Sequence, residues 1–424
     1  MNLDTLPHVE ARPYLLQNSI QHYPWGTHGN QAFIPNLLGF KPEPRVPYAE
    51  LWIGAHPKAP STIVVGEMAV PLDQWINAYP LQILGSKIAN KFSNQLPFLF
   101  KVLSAGEPLS IQVHPNKTQA NALHTRDPIH YPDANHKPEL AIALDSLTAL
   151  MGIKPWAELQ ETLSRYPEIA NFIGKRVCAS VLTLATPDPP KQQTLIQTLF
   201  STLVTNSMHY EQELGRAIEQ LAGRLSTFSS LEEIEGLFLN LRAKYTGPDV
   251  GLFAMFLLNL VHLSGGQGLF TDAGTPHAYI QGNIVECMAN SDNVVRVGLT
   301  DKFTDPENLI EVIDYSPAPL SILVNDPNVE EKIYQTPASE FRVSRLKLSS
   351  STERRETTEN TLKLFLVTKG AAVVRWNSGS EDGRILLQQG QSILIPACLR
   401  DFRLSTEASG ELFKVEVPIS DQGG

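Results

Sequence analysis

The sequence predicts a mostly β protein that carries an α-helical insertion. The first and last parts of the chain contain short apolar runs between turn residues, whereas the middle part shows helical spacing. Apolar residues make up 42% of the 424 residues, which is enough to fill ordinary cores. A chain of this length exceeds what one core usually serves, so we expect two or three domains.

The first zone, residues 1–154, has the texture of β structure. It is rich in proline and glycine, and its short apolar runs include Leu96–Leu103 and Leu109–Val113. Short runs bounded by turn residues are typical of strands. We assign this zone to the first part of a catalytic domain.

The second zone, residues 155–265, is predicted to be helical. Apolar residues recur at helical spacing from Trp156, over Gln193–Leu203 and over Glu211–Leu225. Acidic residues after Ser230 suit the positive end of a further helix. The apolar stretch Gly251–Leu263 is too short to span a bilayer, and we expect a buried helix there.

The third zone, from residue 266 onward, returns to strand texture. Residues 266–320 are assigned to the second part of the catalytic domain and residues 321–424 to a C-terminal domain. Glycine-rich turns separate the apolar or alternating runs of the C-terminal domain, which are Leu362–Val367, Ala371–Trp376, Ile385–Leu387 and Glu411–Val417.

Two segments share one skeleton of a glycine, an apolar run, a turn and a chemically active residue. They run from Gly266 to His277 and from Gly390 to Asp401. Both resemble the second conserved motif of cupins, which ends in a metal-binding histidine. The second copy has Cys398 and Asp401 at the glycine and histidine positions. We therefore predict two cupin-type jelly-roll barrels, only the first with a metal; a coincidence between two ordinary hairpins is the alternative.

Four residues form a candidate metal site. Gln112 and His114 are two apart on a predicted strand, so both side chains lie on one face. Glu139 precedes the next apolar run, and His277 ends the first copy of the motif. Two imidazoles, a carboxylate and an amide leave room for a substrate oxygen, as at a catalytic zinc. Imidazoles favour a transition metal over magnesium or calcium, but they do not separate zinc from iron.

Charge and cysteine content exclude several classes of protein. The net charge of −10 argues against a general nucleic-acid binder, which needs a basic face. The three cysteines are far apart and form no CxxC, which favours a reducing cytosol. Residues 1–14 lack the apolar core of a signal peptide. We expect a cytoplasmic monomer that binds neither nucleic acid nor membrane.

Two longer stretches resemble signatures of type I phosphomannose isomerases. One runs from Tyr131 to Glu139 and the other from His277 to Lys302, and Tyr23-Pro-Trp25-Gly26 is also family-like. The resemblance covers essentially the whole chain. Val297 and Asp301 stand where alanine and proline are typical of the family.

The resemblance implies a zinc-dependent isomerase that interconverts mannose 6-phosphate and fructose 6-phosphate. It implies that Zn²⁺ is bound by Gln112, His114, Glu139 and His277. Arg296 matches the catalytic arginine, and its alternative role is an ion pair with Asp292 or Glu286.

The proton-transfer groups are less determined than the metal ligands. Lys137 is the preferred acid–base group, His136 could assist ring opening, and Glu286 is a third candidate. His136 and Lys137 could instead support Glu139. The predicted substrate-binding residues are Ser110, Lys101, Lys302, Tyr279 and Asp292.

Two other functions compete with the isomerase. An iron oxygenase also uses two histidines and one carboxylate with open coordination positions. A sugar-binding or regulatory cupin could rely on the metal-free second barrel alone. The glutamine ligand and the lysines that could bind a phosphate favour the isomerase over the oxygenase. An open metal site and Arg296 are not needed for simple binding, which argues against a binding module as the function of the whole chain.

Overall fold

The computed structural model describes residues 6–316, 320–324, 326, 328–350, 353–377 and 382–419. It contains two antiparallel sheets, of ten and eleven strands, and a helical insertion. The predicted mostly β fold with an α-helical insertion is confirmed. Of residues 1–14, in which no signal peptide was predicted, residues 1–5 lie outside the described residues.

The strands are numbered in chain order. They are β1 Tyr14–Gln17, β2 Ser19–Gln21, β3 Glu50–Gly54, β4 Thr62–Val65, β5 Met68–Pro71, β6 Phe98–Ala105, β7 Ile111–Val113, β8 Glu139–Ile153, β9 Leu258–Ser264, β10 Gly268–Thr271, β11 His277–Ala289, β12 Val295–Gly298, β13 Ile322–Leu323, β14 Glu331–Tyr334, β15 Arg342–Ser349, β16 Arg354–Thr357, β17 Lys363–Asn377, β18 Asp382–Gln388, β19 Ser392–Ile395, β20 Asp401–Ser405 and β21 Ser409–Glu416.

The helices concentrate between β8 and β9. The α-helices are α1 Phe33–Leu38, α2 Leu72–Ala78, α3 Pro80–Ile83, α4 Ser86–Lys91, α5 Lys117–Arg126, α6 Trp156–Arg165, α7 Pro167–Ile173, α8 Lys175–Leu182, α9 Pro189–His209, α10 Glu211–Leu225, α11 Glu233–Lys244, α12 Gly251–Ala254 and α13 Pro306–Val312. In the part of the chain that the structure describes, no helix has the length and apolarity needed to cross a membrane.

The ten-stranded sheet carries the predicted metal ligands. Its main path runs β13-β10-β8-β11-β6-β3-β2, and β7, β9 and β12 pair beside it. The long strands β8 and β11 pair with each other over most of their length, with two irregularities in register. They therefore form the centre of the sheet, and shorter strands pair with them on either side.

The eleven-stranded sheet includes strands from both ends of the chain. β1 inserts between β19 and β4, so Tyr14 lies opposite Leu394 and Leu16 opposite Ile63. Residues 1–154 were predicted to belong to the catalytic domain alone, so this pairing between distant segments was not predicted. The domain limits at residues 154, 265 and 320 stay predictions.

The two sheets bury a shared core between them. On β17, Leu364 and Leu366 face this core, whereas Phe365 and Val367 face the interior of the second barrel. Alternate side chains of a strand point to opposite faces, so a strand that is apolar on both faces is buried on both. A separate core joins the helical insertion to the other end of the ten-stranded sheet.

Both copies of the repeated skeleton form a strand, a turn and a second strand. Gly266 and Gly390 begin the copies with φ of 84° and 83°, in the left-handed region that glycine adopts without strain. β10 then leads to β11 and His277, and β19 leads to β20 and Asp401. His277 is fully buried, whereas Asp401 is exposed. The predicted pair of barrels with one metal-type site is thus supported by geometry.

Two local predictions were wrong. The stretch Gly251–Leu263 is helical only at its start and becomes β9 from Leu258. There, apolar and polar residues alternate, and the strand pairs with β8. Residues 368–370, where a turn was predicted, are part of one strand, β17, which has a shift in register between Val367 and Lys369.

Candidate active site

Three strand ends bring the candidate metal ligands together. His114 follows β7, while Glu139 and His277 begin β8 and β11. Adjacent strands place His277 opposite Gln112. The ligand atoms of His114, Glu139 and His277 all lie within 4.8 Å of one another, and all three residues are buried.

Backbone carbonyls orient the two imidazoles. His114 Nδ1 lies 2.9 Å from the carbonyl oxygen of Asn293, and His277 Nδ1 lies 2.9 Å from that of Thr275. A proton on each Nδ1 leaves Nε2 with a lone pair, and both Nε2 atoms lie 3.3 Å from Glu139 oxygens. Hydrogen bonding of the outer ring nitrogen is the usual way in which a metal-binding imidazole is oriented.

The chemistry of this group fits a zinc ion. Burial lowers the pKa of His114 to about 4, so its imidazole is neutral. Both His114 Nε2 and Glu139 Oε2 are buried, and among the described residues neither atom has a hydrogen-bond partner. Buried polar atoms without partners are costly, and a cation between them removes that cost. Neutral imidazoles and one carboxylate are the ligands of catalytic zinc sites.

Gln112 is the fourth member of the group. Its amide Nε2 lies 3.3 Å from His277 Nε2, and its backbone pairs with both β11 and β12. Gln112 also lines the neighbouring cavity. It therefore lies between the buried imidazoles and the space open to a substrate.

A cavity of about 180 Å³ lies beside the metal group. Nine of the predicted site residues line it, together with aromatic and aliphatic side chains from β3, β6 and β11 and from the loops before β3 and β7. The nine are Lys101, Gln112, Lys137, Glu139, Tyr279, Glu286, Asp292, Arg296 and Lys302.

A buried network of charges occupies one side of the cavity. Lys101 Nζ lies 2.7 Å from Glu286 and 3.3 Å from Glu50. Burial lowers the pKa of Lys101, but the Glu286 and Glu50 carboxylates more than offset this and raise it. Tyr279 donates a hydrogen bond to Glu286 at 2.8 Å. Burial and the nearby Glu139 raise the pKa of Glu286, although Lys101 opposes this.

Arg296 and Lys302 differ from Lys101, because neither has an ion-pair partner among the described residues. Among the described residues, no carboxylate lies within 4 Å of either side chain; the predicted alternative, an ion pair of Arg296 with Asp292 or Glu286, is not formed. Burial lowers the pKa of both groups, and Arg296 lowers that of Lys302 further. Two neighbouring cations without an anion form an electrostatic site for one.

Lys137 and Asp292 have partners at the cavity wall. Lys137 Nζ lies 3.4 Å from Glu139 Oε1 and is almost completely buried. Asp292 pairs with Lys58 at 2.8 Å, and this contact lowers its pKa although burial opposes the shift. Lys137 is thus placed next to the metal ligand Glu139, as either an acid–base group or a support.

Ser110 and His136 are not among the described residues that line the cavity. Ser110 lies just before β7, whereas His136 Nε2 lies 2.9 Å from Glu340 Oε1. His136 therefore binds a carboxylate beyond the catalytic sheet instead of facing the cavity. The predicted roles of Ser110 and His136 stay predictions.

Sequence reasoning missed Glu50 and Trp52. Both line the cavity, and Trp52 Nε1 donates to Glu50 Oε2 at 2.6 Å. The available signal in the sequence was a charged residue, Glu50, directly before the apolar run Leu51–Ile53, and this segment forms the fully buried strand β3. Such a carboxylate needs partners, but its partner Lys101 could not be identified without the pairing of β3 with β6.

Comparisons with known proteins agree with this geometry. The family model "Phosphomannose isomerase type I, catalytic domain" matches residues 14–156. Mannose-6-phosphate isomerase of Rattus norvegicus is 37% identical over 92% of this chain and 94% of its own length. The Homo sapiens protein of the same name is 35% identical over 91% and 94%.

Solved structures show the same similarity. A mutant of phosphomannose isomerase from Salmonella typhimurium is 32% identical, with a TM-score of 0.83, over 96% of this chain and 100% of that one. A zinc-bound mannose 6-phosphate isomerase gives 32% and 0.82 at the same coverage. The predicted family and the predicted zinc cofactor are confirmed. The chain therefore belongs to the type I phosphomannose isomerase family.

Proposed function

We propose that this chain interconverts mannose 6-phosphate and fructose 6-phosphate by proton transfer through an enediol. One observation carries the proposal: a single cavity joins a buried His–Glu–His group to two cations that have no carboxylate partner among the described residues. The first feature suits a sugar carbonyl and hydroxyl, and the second suits a phosphate and a developing oxyanion. Neither the cytoplasmic location nor the monomeric state is tested by this geometry, and both stay predictions.

The metal group sets the position of the reacting carbons. Gln112, His114, Glu139 and His277 would hold zinc, and the bound zinc would supply a positive charge that polarises the oxygens on C1 and C2. Gln112 and Glu139 are the two ligands that also line the cavity. C1 and C2 would therefore lie against this wall, with the phosphate pointing away from it.

The reaction moves one proton between adjacent carbons. A base removes the proton from C2 of open-chain mannose 6-phosphate, and the electron pair forms the C1–C2 double bond of the enediol. The C1 oxygen gains a proton, the C2 oxygen loses one, and a proton delivered to C1 completes fructose 6-phosphate. No oxidant or reductant is consumed.

Lys137 is our proposed base, with Glu286 as the second candidate. Lys137 Nζ is held beside Glu139 at the metal wall, where C2 would lie. Glu286 also lines the cavity, but hydrogen bonds from Tyr279 and Lys101 already occupy its oxygens. A base must lie within reach of the carbon acid, and the position of Lys137 at the metal wall favours the lysine.

Arg296 and Lys302 are our candidates for binding the two negative charges of the reacting sugar phosphate. Arg296 lies opposite Gln112 across the β7–β12 pair, so its guanidinium is suited to the enediolate oxygen. We assign the phosphate to Lys302, which stands over the Tyr23 ring at 5.9 Å. Lys101 is already neutralised by two carboxylates, and its proposed role is to hold Glu286 in place.

The test is turnover of mannose 6-phosphate by the zinc-loaded protein in deuterated water. Formation of fructose 6-phosphate, lost on chelation and restored by zinc, supports the activity. Solvent deuterium at C1 of the product supports proton transfer through an enediol. Turnover without any deuterium would instead indicate a direct hydride shift.

Matched variants separate the two bases and the rival functions. Lys137→Met is expected to lose at least about a hundredfold in kcat, and Glu286→Gln to lose less. Sugar-phosphate binding without turnover by the folded zinc protein would favour a binding module. Oxygen consumption by an iron-loaded form would favour an oxygenase.

A further inference from the structure

A carboxylate at the end of the helical insertion holds the turn that follows β12. Asp249 Oδ1 accepts a hydrogen bond from Gly251 N at 2.7 Å. Its Oδ2 accepts from Leu299 N at 2.7 Å and from Thr300 N at 3.3 Å. One half-buried side chain thus joins two segments that are far apart in sequence.

The turn that Asp249 holds has an unfavourable backbone conformation. Leu299 has a φ of 57°, and its side chain is fully buried. A bulky residue rarely adopts this left-handed region, because its Cβ crowds the following carbonyl. Such a conformation persists only where the surroundings determine it. Asp249 Oδ2 binds the N–H groups of Leu299 and of the next residue.

Two glycines allow the segments to approach closely. A Cβ atom at position 298 would lie 2.2 Å from Asp249 Oδ1, and one at position 251 would lie 2.7 Å from Leu299 N. Any side chain there would have to displace backbone. At these two glycines the helical insertion and the end of β12 meet main chain to main chain, beside the Asp249 carboxylate.

The turn held by Asp249 lies between Arg296 and Lys302 in the sequence, and both of these cations line the cavity. Arg296 belongs to β12, whose register with β7 shifts between Arg296 and Gly298. Lys302 follows the turn, and its N–H donates to Thr300 Oγ1 at 3.0 Å. Both side chains reach the cavity from the two ends of one short segment. A rotation of the backbone at Leu299 would therefore move Arg296 and Lys302 relative to each other.

We propose that Asp249 is a positioning residue of the isomerase reaction, which fixes Arg296 and Lys302 by holding the strained turn at Leu299. Asp249 is not among the described residues that line the cavity, so it acts through the other two. The helical insertion then supplies part of the active-site geometry. This inference rests on the proposed function, because it assigns the two cations to the reacting sugar phosphate.

The experiment compares Asp249→Ala, Asp249→Asn and a control, Asp188→Ala, as zinc-loaded proteins. Asp188 accepts a hydrogen bond from Lys191 N at the start of α9, so its loss also removes a backbone contact of the helical insertion. We expect kcat/KM to fall roughly 10²-fold in Asp249→Ala, because a displacement of about 1 Å can cost this much. Asp249→Asn keeps one acceptor oxygen, so its loss should be about tenfold. Asp188→Ala should lower the melting temperature and leave kcat/KM within about twofold of the parent protein.

Binding of inorganic phosphate separates this inference from the proposed function. Weaker phosphate binding in both Asp249 variants, with zinc content unchanged, supports the clamp even if the parent protein shows no turnover. Parental kcat/KM and phosphate affinity in both Asp249 variants would overturn it while leaving the isomerase intact. Should Asp249→Ala fail to fold, Asp249→Asn carries the same test. A fall in melting temperature with unchanged kinetics of the folded protein would show a purely structural role.

Discussion

The metal group of the first barrel and a charge network of the second barrel use buried polar groups in opposite ways. In the metal group, His114 Nε2 and Glu139 Oε2 are buried and have no hydrogen-bond partner among the described residues, and the ligand atoms lie within 4.8 Å of one another. In the second barrel, buried charges pair with one another: Lys363 lies 2.8 Å from Glu416, and Lys414 lies 2.8 Å from Glu331.

This difference distinguishes a binding site from a structural network. Unpartnered buried polar atoms cost free energy unless a ligand completes them. A paired network needs no ligand, but it depends on each member, because removal of one charge leaves another buried and uncompensated. The same strand–turn–strand skeleton therefore ends in a reactive histidine in one barrel and in an exposed aspartate in the other.

The largest expected contrast lies between the two ends of the repeated skeleton. We expect His277→Ala to lose bound zinc and at least about a hundredfold in kcat, because loss of a ligand should exceed the effect of losing an outer hydrogen bond. Asp401→Ala, at the matching position, should keep zinc and activity. Metal analysis and steady-state kinetics of both variants provide the check; equal losses would remove the distinction between the barrels.

Removal of a buried cation tests the second barrel. Lys414 is 4% exposed and contacts Glu331 and Glu356. Lys414→Met should lower the free energy of unfolding by about 3 kcal/mol, because it leaves buried carboxylates with less compensation. Zinc content and kcat of the folded protein should not change.

The matched control is Lys369→Met. Lys369, on β17, is exposed and lies 3.8 Å from Glu411 on β21, the strand that also carries Lys414. Its loss should change the free energy of unfolding by less than about 1 kcal/mol. Chemical denaturation of the three proteins gives the comparison, and similar effects of the two lysines would contradict a buried network.

Acid should weaken the second barrel through the same charges. Burial would raise the pKa of Glu416, but Lys363 and Lys414 lower it below the usual 4.5. Lys414 and Arg354 likewise lower the pKa of Glu331 against the effect of burial. A depressed carboxylate pKa stabilises the folded state above pH 4.5, and this contribution is lost as the pH falls through the folded-state value.

Hydrogen exchange can locate that loss. Peptides that cover 353–377 and 409–416 should lose protection as the pH falls below about 4.5, after correction for the intrinsic exchange rate. In Lys414→Met the pH-dependent loss of protection should be smaller, because Glu416 and Glu331 then lack one of the cations that lower their pKa. A pH-independent protection of these peptides would show that the carboxylates are not linked to stability.

The sequence predicted the metal group better than the assembly of the sheets. Gln112 and His114 share a strand face by spacing alone, and the motifs around Glu139 and His277 are long. The insertion of β1 beside β19 and the contact of Glu50 with Lys101 depend on pairing between distant strands. Local pattern carries no information about which of many strands becomes the neighbour, so these features required the fold.

The misassigned stretch at residues 251–263 has the same cause. Its first half is apolar at every position and fits either a helix or a buried strand. Only the pairing of β9 with β8 selects the strand from Leu258 onward. Asp249, just before this stretch, was also missed, because its partners Leu299 and Thr300 come from another zone.

The smallest expected effect concerns charges on the outer face of the second barrel. Register places Arg403 opposite both Arg355 and Arg375, and it pairs with Glu353 at 3.0 Å. Like charges directly opposite one another on a sheet repel, whereas the exposed ion pair attracts, and each contributes well under about 1 kcal/mol. Arg403→Ala removes both, so the free energy of unfolding should change by less than about 0.5 kcal/mol, with little dependence on salt. If Arg403→Ala lowered the free energy of unfolding as much as Lys414→Met in the same denaturation experiment, buried and exposed charges of this barrel would contribute equally to its stability.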